Sequence, residues 1–243
     1  MNGRLRYWIG TLCFFGHTLA GAQIPIDNFN LEGDTKQWYD NTVGIENIGI
    51  LEGTFFLMPA QSPAQHQVYK NLVWAQGDLL YKGQLYSEID MMYNIYSDQL
   101  ILRNLGVSSS MDQAILPDQN CIPSFTIHDD RFLYLSDPLG PNMTPGFYQS
   151  RFDGKSLDLL IKWTKKQNTE SNRVQYEEET SVFLSYNGQY SKYNGERSLL
   201  KLFPEHKREI KKYIRTNMGY LKKQVDENLV QAVIFCDKLR MTP

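Results

Sequence analysis

Cysteine is scarce. The 243-residue chain contains three, and one of them, Cys13, lies within the first 22 residues. The remaining two, Cys121 and Cys236, cannot build the multi-bridge framework of a small disulfide-stapled domain. They are expected to be unpaired, because Cys236 falls on the apolar stripe of a predicted helix, where cysteine acts as a small hydrophobe. Histidine is nearly as thin: beyond residue 22 only His66, His128 and His206 occur, far apart in sequence, so no spaced ligand set for a metal is present. No serine sits between glycines as in a nucleophile elbow, and Ser108-Ser109-Ser110 after Gly106-Val107 reads as a loop. Gly83, Gly154 and Gly188 sit singly in turns, too sparse to cradle phosphate or a dinucleotide. No apolar run reaches the roughly 20 residues that a membrane-crossing helix needs. These absences argue against an enzyme, and no catalytic residue, metal or cofactor is expected.

What is present starts with three zones. Arg4 and Arg6 open the chain with no acidic residue before Asp27, Ile9 to Ala20 is a short and mostly apolar run broken by His17 and Thr18, and Ala20-Gly21-Ala22 supplies the small residues that signal peptidase requires. This predicts a cleavable signal peptide over 1–22 and an exported protein starting at Gln23: periplasmic, outer-membrane-associated or secreted.

The signal holds two of the 25 basic residues and none of the 27 acidic ones, so the 221-residue remainder carries a net charge of −4. A mildly acidic exported chain is a poor nucleic-acid binder. Its length suits one large domain, or one domain with an appended helical piece.

Residues 23 to about 40 are polar, with Trp38 and Tyr39 as anchors, and strand signals gather around Ile48, Ile50, Phe55 and Leu57. From Leu85 to Tyr96 apolar residues at Leu85, Ile89, Met91, Tyr93 and Ile95 alternate with a second set, a period of two that predicts a half-buried antiparallel strand. Ser97-Asp98 turns the chain and Leu100 to Leu102 starts its return. Phe147 to Phe152 and Leu157 to Trp163 flank Asp153-Gly154, a pair suited to a tight hairpin turn with both residues at positive φ. Val182 to Tyr186 and Gln189 to Tyr193 flank Asn187-Gly188 in the same way. An aromatic-x-Gly-polar pattern recurs at Tyr81, Phe152, Tyr186 and Tyr193, at spacings too irregular for a structural repeat and natural for hairpin turns.

After Gly195 the period becomes helical. A short helix is predicted from Ser198 to Phe203, a second from Pro204 to about Asn217 with Ile210, Tyr213 and Ile214 as its apolar stripe, and a third from about Val225 to Leu239 burying Val225, Leu229, Val233 and Cys236. The fold class predicted is α+β: an antiparallel β-meander (sheet, roll or open barrel) over residues 23–194, with C-terminal helices over 195–243 packed on it.

Gly53-Thr54-Phe55-Phe56, Tyr81 to Tyr86 and Met92 to Leu100, followed by Ser198-Leu199-Leu200 and Glu205 to Ile214, resemble a group of secreted proteins common in Bacteroidota. The resemblance spans most of the exported portion and its motifs are hairpins and helices. It implies an envelope location and this layout, and it carries no chemistry, since the group has no established activity.

Few candidate sites remain. His128-Asp129-Asp130 is the best polar cluster, and its preferred reading is a hairpin turn between Phe125-Thr126-Ile127 and Phe132-Leu133-Tyr134. Glu88 and Asp90 would share the polar face of a strand, an arrangement able to hold a cation or a sugar. Glu177-Glu178-Glu179 lies beside a polar, mobile stretch from Gln167 to Arg173 and reads as a solvated edge. Tyr81, Tyr86, Tyr93 and Tyr96 form either a sugar-stacking face or, preferably, cross-strand packing. The most distinctive surface is basic. From Glu205 to Lys223 the local net charge is +5 against about −9 for the rest of the exported portion. Lys207, Lys211 and Arg215 recur at four-residue steps on the predicted helix, with Arg208 and Lys212 in a neighbouring row. The expected role is a non-enzymatic envelope protein that binds an envelope protein, lipid headgroup or glycan through these five residues. The alternatives are a glycan or small-ligand binder or hydrolase with a carboxylate cleft, and a structural subunit of an envelope assembly.

Overall fold

Among the described residues, alternating side chains and paired turn residues produce eleven strands, and the switch to helical spacing after Gly195 produces three α-helices. The computed structural model describes residues 53–57, 61–103, 114–136, 140–170 and 173–239. The expected signal at 1–22, the lead-in with Trp38 and Tyr39, the strand signal at Ile48 and Ile50, and Ser108–Ser110 lie outside them. The strands are β1 (Gly53–Phe56), β2 (Ala75–Tyr81), β3 (Gln84–Asn94), β4 (Gln99–Arg103), β5 (Ala114–Pro117), β6 (Ser124–Ile127), β7 (Asp130–Leu135), β8 (Gly146–Phe152), β9 (Leu157–Glu170), β10 (Arg173–Tyr186) and β11 (Gln189–Lys192). The helices are α1 (Glu196–Leu202), α2 (Lys207–Asn217) and α3 (Glu227–Leu239). The fold is α+β, with one open antiparallel sheet in the order β1-β5-β4-β3-β2-β6-β7-β8-β9-β10-β11.

Two meanders, β2 to β5 and β6 to β11, meet where β2 pairs with β6 at Leu79↔Phe125 and Leu80↔Ser124. Gly77 lies beside this junction, and a Cβ there would run into the Thr126 carbonyl, so the close approach of the two meanders requires glycine. The sheet curls: the Lys165 amide donates to the Ile95 carbonyl (3.2 Å), and the Phe147 amide to Asp98 Oδ1 (3.4 Å), which returns the β3–β4 hairpin to β8 and β9. Inside the curl lies an aromatic cluster in which Phe125 stacks on Phe132 at 4.9 Å and Tyr93 meets both rings edge-on. A second core forms where Leu157, Leu159, Val182 and Leu184 of β9–β10 receive Leu199, Ile210, Ile214, Leu229, Val233 and Cys236 from the helices. The predicted stripe residues Ile210, Ile214, Leu229, Val233 and Cys236 are buried as expected, whereas Tyr213 is half-buried and Val225 is half-buried just before α3. Pro204 stands outside α2, three residues before Lys207, while Gly219 with φ 75° follows the helix as a left-handed stop.

Three departures from the sequence reading have physical causes. The period of two in β3 breaks at Glu88, which takes φ 59° in a β-bulge: Gly77 pairs with Ile89 but Leu79 pairs with Tyr86. The extra residue reverses the alternation, so Tyr86 packs on the aromatic cluster while Leu85 is 59% exposed. Second, the aromatic-x-Gly-polar pattern has three outcomes. Lys82-Gly83 and Asn187-Gly188 form two-residue turns with positive φ at both positions, Gly195 leads into α1, and Asp153-Gly154 lies in a four-residue loop with neither residue at positive φ. Third, the supposedly mobile stretch from Gln167 to Arg173 is largely strand, since β9 and β10 pair continuously from Tyr186↔Leu157 to Arg173↔Glu170.

The four-residue loop between β8 and β9 is shaped by α3. Asp237 is buried, and its carboxylate accepts from the amides of Lys155 (3.1 Å), Ser156 (2.9 Å) and Leu157 (3.1 Å) and from the Ser156 hydroxyl (3.0 Å). A Cβ on Gly154 would stand 2.8 Å from Asp237 Oδ2, so the glycine admits the latch. Burial alone would raise the carboxyl pKa, but the donated hydrogen bonds outweigh it and hold the pKa below the ordinary carboxylate range. Replacing Asp237 with Asn is expected to cost about 2 kcal/mol near neutral pH, measured by urea unfolding. A pKa lowered in the folded state contributes stability that is present above the unfolded value of about 3.9 and lost as pH falls through the folded one. The gap between native and Asp237→Asn chains should therefore narrow below about pH 4.

Candidate functional site

The basic surface is built by α2. Ile210 and Ile214 are fully buried against the second core, with Tyr213 half-buried beside them. That orientation turns Lys207, Arg208, Lys211, Lys212 and Arg215 outward, and all five are exposed. Among the described residues none of the five has a carboxylate within ion-pair distance. Glu209, the acidic residue in the first turn, lies instead 3.5 Å from His206 Nδ1. The arrangement works against the helix itself. Like charges four residues apart cost a few tenths of a kcal/mol per pair, and Lys207 and Arg208 sit at the positive end of the helix dipole.

Two grooves flank the stripe. One, of about 450 Å³, is lined by Glu209, Lys212, Tyr213, Thr216, Asn217, Phe235 and Leu239, and its floor is the Tyr213–Phe235 pair, parallel within 1° at 3.9 Å. The other, of about 350 Å³, lies before α2 between Tyr186, Leu202, Phe203, Pro204, Glu205 and His206. Cations and half-buried aromatic side chains thus share one face of the molecule.

The other sequence candidates separate. Glu88 stands on the bulge, whereas Asp90 is bound by Arg103 from β4 at 3.0 Å, so the two do not act as a pair. His128 and Asp129 are the positive-φ residues of the β6–β7 turn, as preferred. Asp130 looks inward and accepts from Lys70 (2.6 Å), the Tyr69 hydroxyl (2.9 Å) and Gln149 (2.6 Å), while Gln149 Oε1 takes the Trp163 indole N–H at 2.7 Å. Burial, then the cation of Lys70, lowers the His128 pKa. Among the described residues no group of three or more His, Cys, Asp or Glu is placed to hold a metal ion. Tyr81 and Tyr93 are core residues, which leaves no four-tyrosine face for stacking on sugars. Glu179 binds Lys166 across the β9–β10 ribbon at 2.6 Å. Cys121 and Cys236 are both free, with Cys236 buried under the helices and its thiol pKa raised to about 12 by burial.

One ion pair carries no warning in the motifs. Lys162, buried in β9, donates to Asp98 at 2.6 Å and to the Phe147 carbonyl at 3.0 Å, with its ammonium 4.8 Å from the centre of the Tyr148 ring. Asp98 also accepts from the Tyr93 hydroxyl at 2.6 Å. Gly146, at φ 142°, makes room, since a Cβ would strike the Asp98 carboxylate. The available signal was a lone lysine inside the apolar run from Leu157 to Trp163. Its ammonium is held cationic by Asp98 although burial lowers its pKa. Asp98→Ala is expected to cost about 3 kcal/mol by stranding a buried charge. Adding Lys162→Met should restore most of that loss, as read by urea unfolding of the single and double variants.

No family model, no curated protein and no solved structure matches the chain. No helix among the described residues is long and apolar enough to cross a membrane.

Proposed function

We propose that the protein is an exported, non-enzymatic envelope protein that binds an anionic partner or surface through α2. The observation that carries this reading is two neighbouring rows of exposed cations, five in all, with no carboxylate within ion-pair distance among the described residues, on a helix that their mutual repulsion destabilises. A stripe that lowers the stability of its own helix has its use in a complex. The zoned N-terminal sequence and the resemblance to secreted Bacteroidota proteins support the envelope location.

The mode of contact follows from burial. A helix that inserts into a membrane interface presents apolar residues outward, but Ile210 and Ile214 face the sheet. The contact is therefore peripheral and electrostatic, with the Tyr213–Phe235 groove beside it for a side chain or acyl fragment of the partner. Such binding weakens with salt.

The test is co-sedimentation of the purified protein with isolated cell envelopes at low and high salt. The native chain should pellet and be released by salt. A variant with Gln at Lys207, Lys211, Lys212 and Arg215 should stay in solution, and should unfold at equal or slightly higher urea, by about 0.5 kcal/mol, because repulsion along the helix is relieved. Salt-independent pelleting, or unchanged pelleting of the variant, would discard the reading.

A further inference from the structure

Residues 61–71 form a strap with little regular structure, lying along the part of the β3 edge that β2 leaves free. Val68 bridges Asn94, the Tyr69 amide donates to the Tyr93 carbonyl (2.8 Å), and the Ile95 amide donates to the Gln67 carbonyl (3.0 Å). Side chains add to this hold: Asn94 and the Tyr176 hydroxyl bond the Gln67 amide group at 3.0 and 2.7 Å. Across the curl, β9 reaches the strap through Lys165. Its Nζ donates to the His66 carbonyl at 2.7 Å and to the Val68 carbonyl at 3.0 Å, and lies 3.2 Å from His66 Nδ1.

The chemistry of this contact is restrictive. An ammonium group has three N–H donors and no acceptor. Here they meet two carbonyl oxygens and a ring nitrogen, and among the described residues no carboxylate lies within ion-pair distance of Lys165. Nδ1 can receive the third donor only while it carries no proton, which makes the ring the neutral tautomer with its proton on Nε2. His66 is only 8% exposed, so water does not stand in for the lysine.

We propose that His66 and Lys165 form an acid-released clamp holding the 61–71 strap against β9. Protonation puts an N–H and a positive charge on the nitrogen that faces the ammonium, turning an acceptor into a repelling donor. The other groups nearby do not cancel this. Lys70 on the strap is bound to Asp130, Lys166 on β9 is bound to Glu179, and Asp98 at the β3–β4 turn is bound to Lys162. On β10 the Tyr176 hydroxyl accepts from the Gln67 amide, and Glu178, opposite Lys165 in register, favours keeping the lysine charged. Burial, then the charge of Lys165, lowers the His66 pKa, and together they outweigh the Val68 backbone hydrogen bond, which favours the protonated ring. A folded pKa lowered below the ordinary value of about 6.5 means that the clamp contributes fully above that pH and weakens as pH falls toward the folded value. Release is confined to the part of the strap before Tyr69, because the Tyr69 ring packs in the aromatic cluster and its hydroxyl binds Asp130. The clamp stands independently of any role for α2.

The experiment is hydrogen exchange by mass spectrometry on the full chain at pH 7.5 and pH 5, corrected for the intrinsic pH dependence of exchange. Protection of the Gln67 amide, and of the Ile95 amide that donates to the Gln67 carbonyl, should fall several-fold at pH 5, while peptides of β7 and β8 hold theirs. In a His66→Asn variant the amide oxygen can take the place of Nδ1 and does not titrate, so its strap protection should be the same at both pH values. Equal strap protection of the native chain at both pH values, or an equal loss in the variant, overturns the proposal. Nitrogen shifts of the native His66 ring give a second reading that needs no variant: the Nε2–H form at pH 7.5 is required, and the Nδ1–H form would overturn the clamp.

Discussion

The structure depends on one strand having to serve two cores. Side chains along β9 alternate strictly, so Leu157 and Leu159 face the helices on the same side from which Trp163 enters the aromatic cluster and Lys165 reaches the strap. A one-residue slip of β9 against β8 or β10 would put Asp158 in place of Leu157, Lys162 in place of Ile161 and Thr164 in place of Trp163, and damage both cores at once. The fourteen-residue pairing with β10 is what prevents the slip. The helices, the curl of the sheet and the placing of α2 all follow from that register.

Much of the fold was legible because its signals are periodic or local. The helical stripes at Ile210, Ile214, Leu229, Val233 and Cys236 repeat at three- and four-residue steps, and the Asn187-Gly188 turn has residues that tolerate positive φ. What was not legible depends on partners distant in sequence. The bulge at Glu88 leaves no mark in its own strand, being set by how β2 fits β3, and without it Leu85 reads as inward. In the outer half of the β9–β10 ribbon the apolar alternation is reduced to Val174 and Tyr176, with Val174 45% exposed. That half is strand because cross-strand polar and charged pairs such as Lys166–Glu179 supply what a hydrophobic face would otherwise supply. The candidate site follows the same division: the five cations of α2 could be placed by counting along a helix, whereas the grooves beside them require α3 and β10 to be in position.

Charged groups recur where separate segments meet. Asp237 joins α3 to the β8–β9 loop, the Asp98–Lys162 pair joins the β3–β4 turn to β8 and β9, and Asp130 joins the strap to β7 and β8. Each is supplied with several donors or acceptors, as burial requires. Apolar contacts tolerate sliding, and these ties do not, so they fix which arrangement of a strongly curled sheet is adopted. The cations of α2 stand out against this pattern, since none of them has a carboxylate within ion-pair distance among the described residues.

The Asp237 latch also sets an order of events. Its hydrogen bonds span some 80 residues of sequence, and the cover over Leu157, Leu159, Val182 and Leu184 is incomplete until Leu229, Val233 and Cys236 of α3 arrive. A chain lengthening from its N-terminus can form the hairpins early, since their contacts are local, yet part of the apolar patch on β9–β10 stays uncovered until residues 227–239 have been made. Loss of α3, whether by an early stop or by proteolysis, therefore leaves the strands paired but sticky, and quality control would recognise the truncated protein by that patch.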